Sequence, residues 1–310
     1  MTTSNAAKLI DNPSDAVVFA PDVTITHDGF RPPLELPPGK KLAVGLVLHA
    51  PYYQDTLGSG DFGPGYIAGG VGREANPPKG QVARLSQWDF GLTVGIFRLL
   101  SIAEKHGVPA AVALDEYGVS RMPGLARAVA PRAAEIVCRG RAATLVLSPQ
   151  MTEEQERTYI RESKAAVETA VGSAVTGWFS PERCQSQRTP RLLAEEGFAW
   201  FGDWPADERP VPLEGGATGL TAVPLGLETE DMFAMYTRNL PYLSYEELVH
   251  DTVDRLVADA DIVGGRFLGL NWFGWVLGQA CYADVADRLL GELAARDEVL
   301  FLTPAQAAEL

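Results

Sequence analysis

The chain has 310 residues, of which 46% are hydrophobic and 21% charged, a composition typical of a folded globular protein. Its formal net charge of −14 argues against nucleic acid or an anionic membrane as a partner, because clustered Lys and Arg bind phosphate groups. The sequence shows no secretory signal, no apolar run near the ~20 residues that cross a membrane, and no closely spaced pair among its three cysteines. We therefore expect a reduced, cytoplasmic protein.

The first forty residues are rich in proline and end in the run Arg31-Pro32-Pro33-Leu34-Glu35-Leu36-Pro37-Pro38-Gly39. Because proline fixes φ and lacks a backbone donor, this stretch is expected to lie extended on the surface. Beyond it the sequence has neither a long linker nor an internal repeat of fixed period. We therefore predict an extended N-terminal segment, 1–40, followed by a single domain, 41–310.

From residue 42 onward, predicted strands alternate with predicted helices. Apolar runs predict strands at 42–48, 110–114, 135–138, 175–179, 199–203, 220–224, 267–271 and 299–302. Helical periodicity covers about 87–106, 152–171, 244–260 and 281–296, with Thr152 as the N-cap of the second of these helices. Parallel strands need crossover helices, and seven or eight such units favour a barrel over an open sheet. The predicted fold is a (β/α)7–8 barrel of the α/β class.

In such a barrel the chemistry lies at the carboxyl ends of the strands. The residues at the predicted strand ends are polar or aromatic in nearly every case: His49, Asp115, Glu116, Cys138, Arg139, Trp178, Asp203, Pro224, Asn271 and Trp272. Strand ends are often polar for structural reasons alone. Each residue is therefore a candidate, and the set as a whole predicts a functional site.

Each of the charged candidates has a structural alternative. His49 is either a general acid or base, since its ordinary pKa lies near neutrality, or a buried and satisfied histidine. Asp115 and Glu116 either supply a carboxylate for base catalysis or form a surface turn. Arg139 suits a carboxylate or amide oxygen through two parallel hydrogen bonds, or it neutralises Asp115 or Asp203. The sequence leaves these alternatives open.

A hydrolytic metal site needs several His, Asp or Glu ligands around an open position. Of the four histidines only His49 stands at a strand end; the others lie in the N-terminal segment, at a helix end and inside a polar helix. We therefore predict no cofactor and no metal. The alternative is one divalent metal held by His49 together with Asp115, Glu116 or Asp203.

Two further features bear on the predicted site. Seven glycines between Gly58 and Gly72 predict a long loop over the barrel end. Within it, the run Gly58-Ser59-Gly60-Asp61-Phe62-Gly63 has the spelling of a dinucleotide-binding motif. It does not open a helix after a strand, which excludes a dinucleotide site. Trp272, Phe273 and Trp275, with Trp178 and Trp204, either build a pocket for a flat ligand or pack in the core.

The order of motifs in 135–210 resembles the polysaccharide-deacetylase superfamily, and within it the allantoinase-like branch. The residues that carry the resemblance are Glu135-Ile136-Val137-Cys138-Arg139-Gly140, Thr176-Gly177-Trp178-Phe179-Ser180 and Phe201-Gly202-Asp203-Trp204-Pro205-Ala206-Asp207-Glu208-Arg209-Pro210. Weaker matches extend the likeness over 30–305. The resemblance implies a distorted (β/α) barrel, an ancestry in hydrolysis of C–N bonds of small molecules, and a homo-oligomer.

The sequence departs from this branch at the positions that carry its chemistry. Arg139 stands where the branch has the histidine of a His-Gly pair, and Leu270-Asn271-Trp272 replaces a Leu-His pair. Thr93 stands where an arginine is usual. Such changes would abolish metal-dependent deacetylation while leaving a polar site, which suggests a changed reaction.

The sequence thus predicts a metal-independent hydrolase of an amide, imide or ureide C–N bond in a small metabolite. His49 would move protons, Asp203 or Glu116 would orient it or activate water, and Arg139 with Asn271 would hold a carbonyl oxygen. Asp115, Trp178, Trp204 and Trp272 would contact the substrate. The alternatives are a lyase, isomerase or cyclase on the same scaffold, and a non-catalytic protein that binds a small molecule.

Overall fold

The structure is a computed structural model that describes residues 16–20, 23–26, 28, 31–65, 80 and 82–310. The second half of the predicted glycine-rich loop, 66–72, lies outside the described residues. None of the helices in the described part of the chain is long and apolar enough to cross a membrane.

The strands of the described residues form two sheets. Strands β1 (Ala16–Ala20) and β2 (Val23–Thr26) pair with each other, antiparallel, in the predicted N-terminal segment. The main sheet consists of β3 (Leu42–Ala50), β4 (Ala110–Leu114), β5 (Glu135–Cys138), β6 (Gly177–Trp178), β7 (Trp200–Phe201), β8 (Val211–Pro212), β9 (Thr221–Ala222), β10 (Arg266–Phe273) and β11 (Val299–Leu302).

The helices of the described residues follow the strands in alternation. They are α1 (Val82–Phe90), α2 (Ile96–Lys105), α3 (Glu116–Arg121), α4 (Pro123–Val129), α5 (Glu153–Val171), α6 (Thr189–Glu195), α7 (Tyr242–Val263), α8 (Ala283–Ala294) and α9 (Pro304–Ala307). A π-helical turn, Gly91–Gly95, joins α1 to α2, so the helix predicted at 87–106 begins earlier and is interrupted. Thr152 caps α5 as predicted, since its side chain accepts from the backbone N–H of Gln155 at 3.2 Å.

The main sheet runs in the order β10-β3-β4-β5-β6-β7-β9-β8, and β11 pairs with the first half of β3. Every pair in it is parallel except β8 with β9. An isolated parallel bridge between Leu225 and Gly269 joins the segment after β9 to β10, at the other end of the strand order. The sheet therefore curls toward closure, which confirms the predicted distorted (β/α) barrel.

The core lies on both faces of this curled sheet. One cluster fills the inside of the barrel and includes Val47, Val137 and Phe267. A larger cluster lies between the strands and the helices and includes Leu46 and Leu48. Because both faces of β3 are buried, the strand is apolar at consecutive positions, which is why its sequence shows a continuous run and no alternation.

The loop after β10 is held against the π-helical turn by direct backbone contact. A Cβ on Gly95 would lie 1.8 Å from the carbonyl oxygen of Gly274, which is backbone and cannot rotate away. We expect Gly95→Ala to lower the free energy of unfolding by about 3 kcal/mol, measured by urea denaturation. Gly124→Ala is the matched control: in α4 its Cβ would meet nothing within 4 Å, so the change should be neutral or stabilising by up to about 1 kcal/mol. Equal effects of the two changes would contradict this packing.

Candidate active site

The candidate site is built from residues that continue the inner face of the barrel past the strand ends. Residues two apart in a strand point to the same face. Val47, Ala113 and Val137 lie in the interior cluster. The residues two positions later are His49, Asp115 and Arg139, and each of them is fully buried. We call the carboxyl ends of β3, β4, β5, β6, β7 and β10 the mouth.

His49 is held in one orientation by an amide and two aromatic rings. Its Nε2 lies 3.2 Å from Oδ1 of Asn271, its ring stacks on Phe273 at 4.5 Å, and it meets Phe179 edge-on at 4.7 Å. Donation to the amide oxygen requires the proton on Nε2, so Nδ1 carries the lone pair, and no described residue hydrogen-bonds to it. Burial, and then the charge of Arg139, hold the pKa of His49 well below 6.5. The imidazole is therefore neutral at neutral pH and able to accept a proton through Nδ1.

Arg139 lies beside His49, against the same two rings. Its Cζ is 5.9 Å from the ring centre of Phe179 and 5.6 Å from that of Phe273. Its Nη2 lies 3.6 Å from Oε1 of Glu182, while Nε and Nη1 donate to no described residue. A fully buried guanidinium with two unpaired nitrogens is unusual, because burying an unsatisfied charge is costly.

The predicted neutralisation of Arg139 by Asp115 or Asp203 does not occur through a direct contact. Asp115 accepts from the backbone N–H groups of Tyr52 at 2.6 Å and Gly118 at 2.7 Å, and it caps α3. Asp203 accepts from the backbone N–H and the hydroxyl of Ser180, both at 2.7 Å. Burial raises the pKa of Asp115 to about 7 and that of Asp203 to about 6. Both carboxyl groups thus position the loops of the mouth.

Glu182 is a site residue that sequence reasoning missed. It follows β6 in a turn where both Glu182 and Arg183 have positive φ, 52° and 53°, a strained conformation for residues other than glycine. Its side chain is 19% exposed, and burial raises its pKa to about 7 although Arg139 opposes the shift. Arg183 is held by the carbonyl of Gly202 at 3.0 Å and by Glu230 at 2.9 Å. Nothing in the sequence except the Ser-Pro pair before this turn marks it.

Asp231 holds the backbone at the end of β10. It is fully buried and accepts from the backbone N–H groups of Phe273 at 3.0 Å, Met232 at 2.7 Å and Leu277 at 3.2 Å. One carboxyl group thereby fixes the end of β10 and the loop after it. The backbone of Phe273, whose ring stacks on His49, is thereby held by Asp231.

Glu116, Asp203 and Asn271 do not take the roles predicted for them. Glu116 faces outward, 3.5 Å from Nε of Arg141 and 3.4 Å from the hydroxyl of Ser163, because it lies in the first turn of α3 and not in the strand. Asp203 is bound by Ser180. The residue that orients His49 is Asn271, whose Nδ2 donates to the carbonyl of Gly226 at 3.3 Å. Its amide thus serves to position the imidazole.

Trp178 and Trp272, two of the predicted aromatic residues, do not contact His49. Trp178 and Trp272 belong to the cluster between the strands and the helices, because they occupy the outward-facing positions of β6 and β10. Trp178 donates to the hydroxyl of Ser180 at 2.8 Å and Trp272 to that of Tyr245 at 2.8 Å. The aromatic groups beside His49 are Phe273, which was among the predicted residues, and Phe179, which was not.

Trp204 packs beside the end of β7. Its ring packs edge-on against Phe201 at 4.9 Å, and it is partly buried against the outer cluster. The structure thus brings together His49, Arg139 and Asn271, with Asp115 and Asp203 in the loops around them.

The described residues at the mouth do not fit a divalent metal. Among the described residues, the three-ligand group that could hold an ion is Glu246, His250 and Glu292, on the outer helices α7 and α8, where Arg288 already pairs with Glu246 at 2.6 Å. At the mouth the carboxylate oxygens of Asp115 and Asp203 are used by N–H and O–H donors. A guanidinium among them opposes a second positive charge.

No protein-family model matches the sequence, and no curated protein matches it significantly. Solved structures do match. PuuE allantoinase superposes with a TM-score of 0.79 at 22% identity, and a protein from Pseudomonas aeruginosa PAO1 described as a probable polysaccharide deacetylase with 0.79 at 21%. Each match covers 90% of this chain and 93% of the other. The chain has the polysaccharide-deacetylase fold. A protein described as a polysaccharide deacetylase from Mycobacterium smegmatis agrees, with a TM-score of 0.75 at 22% identity over the same shares.

The resemblance to the polysaccharide-deacetylase fold, and to an allantoinase within it, is therefore confirmed. At 21–22% identity the likeness establishes the fold and leaves the reaction to the residues of the mouth. In this instance of the deacetylase fold, those residues are an arginine, an amide-bound histidine and a strained glutamate.

The neutrality of His49 can be tested without a substrate. Replacing Asn271 with aspartate places a carboxylate about 3 Å from Nε2, and an opposite charge at that distance raises a histidine pKa by about 1–3 units. We expect the His49 Cε1–H signal in NMR spectra to titrate at a higher pH in Asn271→Asp than in the wild type. The signals of His106 and His250 are internal controls and should not move. An unchanged His49 titration would contradict the contact with Asn271.

Proposed function

We propose that the chain hydrolyses an amide, imide or ureide C–N bond of a small metabolite without a metal ion. The observation that supports this most directly is the pairing of two unsatisfied groups. A neutral base, Nδ1 of His49, and a cationic donor pair, Nε and Nη1 of Arg139, lie against the same rings of Phe179 and Phe273. Attack of water on a carbonyl group needs a base for the water and donors for the oxygen.

In the proposed reaction Arg139 donates to the carbonyl oxygen of the substrate. Water attacks the carbonyl carbon, Nδ1 of His49 takes its proton, and the electron pair of the C=O bond moves to the oxygen. The oxyanion is stabilised by the guanidinium, and this is the step at which Arg139 contributes most, because charge develops there. Asn271 keeps the proton of His49 on Nε2, so that Nδ1 remains the accepting atom.

The C–N bond breaks when the oxyanion re-forms the carbonyl group. The leaving nitrogen needs a proton, and Glu182 can supply it because its pKa of about 7 leaves much of it protonated at neutral pH. The proton held by His49 then returns to Glu182 through solvent, which restores both groups. One water is consumed, and a carboxylic acid and an N–H compound are formed.

A lyase, isomerase or cyclase reaction is the second candidate. The observation that favours it is that two carboxyl groups near Arg139, Asp115 and Glu182, have pKa values raised to about 7 by burial. Such groups can take a proton from one position of a substrate and return it to another without water. Titratable groups perturbed in this way also favour catalysis over simple binding.

The test is a panel of linear and cyclic amides, imides and ureides incubated with purified protein in ¹⁸O-labelled water. We expect products whose summed mass exceeds that of the substrate by one water, as one ring-opened product from a cyclic substrate and two products from a linear one. The label should lie in the new carboxyl group, and the rate should be unchanged by dialysis against a chelator. An added mass of zero would favour the isomerase or cyclase. A rate restored only by zinc, manganese or iron would overturn the metal-independent mechanism.

A further inference from the structure

Arg139 is a buried cation with unused donors. Its Nε and Nη1 have no hydrogen-bond partner among the described residues, and its Nη2 lies 3.6 Å from the carboxylate oxygen of Glu182, beyond ordinary hydrogen-bonding distance. The arginine is also fully buried, so water does not satisfy these donors freely. A ligand with a negative charge and two acceptor oxygens would therefore stabilise Arg139 more than it would stabilise a paired arginine on the surface.

The described carboxylates near Arg139 do not pair with its Nε and Nη1. The oxygens of Asp115 and Asp203 are bound by the loops of the mouth, so neither can turn to the guanidinium without losing two hydrogen bonds. His49 presents a lone pair and carries no charge. A second guanidinium, that of Arg183, lies 4.9 Å from the ring of Phe179, and its charge adds to the depression of the pKa of His49. Arg183 is paired with Glu230 at 2.9 Å, so of these two guanidinium groups it is Arg139 that keeps unpaired nitrogens.

We infer that the mouth binds a small planar organic carboxylate through Nε and Nη1 of Arg139. Carboxylate geometry suits a guanidinium, and the rings of Phe179 and Phe273 suit a flat apolar body attached to it. The inference rests on the proposed function only in identifying the ligand as the acid released when the C–N bond breaks. A carboxylate formed at the reacting carbonyl group contacts Arg139 as soon as it forms. This product is therefore expected to inhibit the enzyme.

The probes are benzoate and its neutral isostere benzamide, titrated into the full chain by isothermal calorimetry. We expect benzoate to bind with one-to-one stoichiometry and benzamide at least about tenfold more weakly. Arg139→Gln should weaken benzoate by about ten- to hundredfold, the range expected for hydrogen bonds to a charged group. Arg132→Gln is the matched control, since Arg132 is a partly exposed arginine paired with Glu104 and should leave benzoate binding unchanged.

Several outcomes would overturn the inference. These are no heat of binding from benzoate at millimolar concentration, equal binding of benzamide, or undiminished binding by a folded Arg139→Gln. Folding of each variant is checked by circular dichroism and its thermal midpoint. The proposed function and this inference can be contradicted independently. Benzoate binding without turnover of any amide, imide or ureide would contradict only the proposed function. Turnover without benzoate binding would contradict only this inference.

Discussion

Arg139→Met is expected to slow turnover strongly and, below pH 6, to make the protein more stable than the wild type. The guanidinium is fully buried with two unpaired nitrogens, and methionine has a similar length without a charge to desolvate. Replacing buried ionic groups by apolar ones of similar volume often stabilises proteins, here by about 1–3 kcal/mol. The loss of the oxyanion donors should lower kcat by about 10²–10³-fold.

The stabilisation should depend on pH with a definite sign. The folded-state pKa values of Asp115 and Glu182, about 7, lie above the ordinary values of 3.8 and 4.5. Groups raised in this way contribute stability that is present below their unfolded pKa and is lost as the pH rises through the folded pKa. Without Arg139 their ionised forms lack a cation, so the advantage of Arg139→Met should shrink or reverse between pH 6 and pH 8.5.

Urea denaturation at pH 5.5 and pH 8.5 measures both effects. The matched control is Arg141→Met, two residues further on, where a partly exposed arginine pairs with Glu162 on the outer side of the barrel. It should change stability by less than about 1 kcal/mol, with no change of sign between the two pH values. If Arg139→Met were destabilised equally at both pH values, Arg139 would be a structural residue. That result would contradict its proposed role as the donor to the oxyanion.

The barrel could be predicted because each long strand is a run of buried apolar residues. Strand β4 was predicted at its observed residues, and so was β5, since a short apolar run between two helices is typical of a buried parallel strand. Strands β6, β7 and β9 have only two residues each, and the predictions made them longer. The N-terminal pair β1 and β2 was not predicted, because the proline content of the first forty residues suggested an extended coil.

The residues of the candidate site could be predicted only where they stand at the end of a predicted strand. His49, Arg139 and Asn271 stand at the ends of apolar runs, so their position at the mouth could be predicted from the sequence. The sequence could not show which way the side chains of Trp178 and Trp272 point, because in an aromatic pair such as Trp178-Phe179 either residue can point inward. Glu182 depends on a turn with positive φ, which no residue type in the turn signals. The sequence thus predicted which residues stand at the strand ends, and it could not predict which of the neighbouring aromatic side chains face His49.

His49→Ala is expected to lower kcat/KM by about 10²–10⁴-fold, the usual contribution of a positioned general base. In the wild type the rate should stay high below pH 6.5, because burial and Arg139 keep His49 unprotonated there, and it should fall as the pH rises through about 7 and Glu182 loses its proton. The variant lacks the group that limits the acidic side. Added imidazole should restore part of the rate, with an acidic limb at its own pKa in solution.

The rescue separates a base from a packing residue. A structural role for His49, stacked on Phe273, would lower stability without making the residual rate depend on the pKa of the added base. His106→Ala is the matched control, because His106 pairs with Asp287 at the end of α2, away from the mouth, and its loss should leave kcat/KM within about twofold. Since Nδ1 of His49 has no partner among the described residues, an unimpaired His49→Ala would mean that water is activated by another group, and Asp115 would become the next candidate.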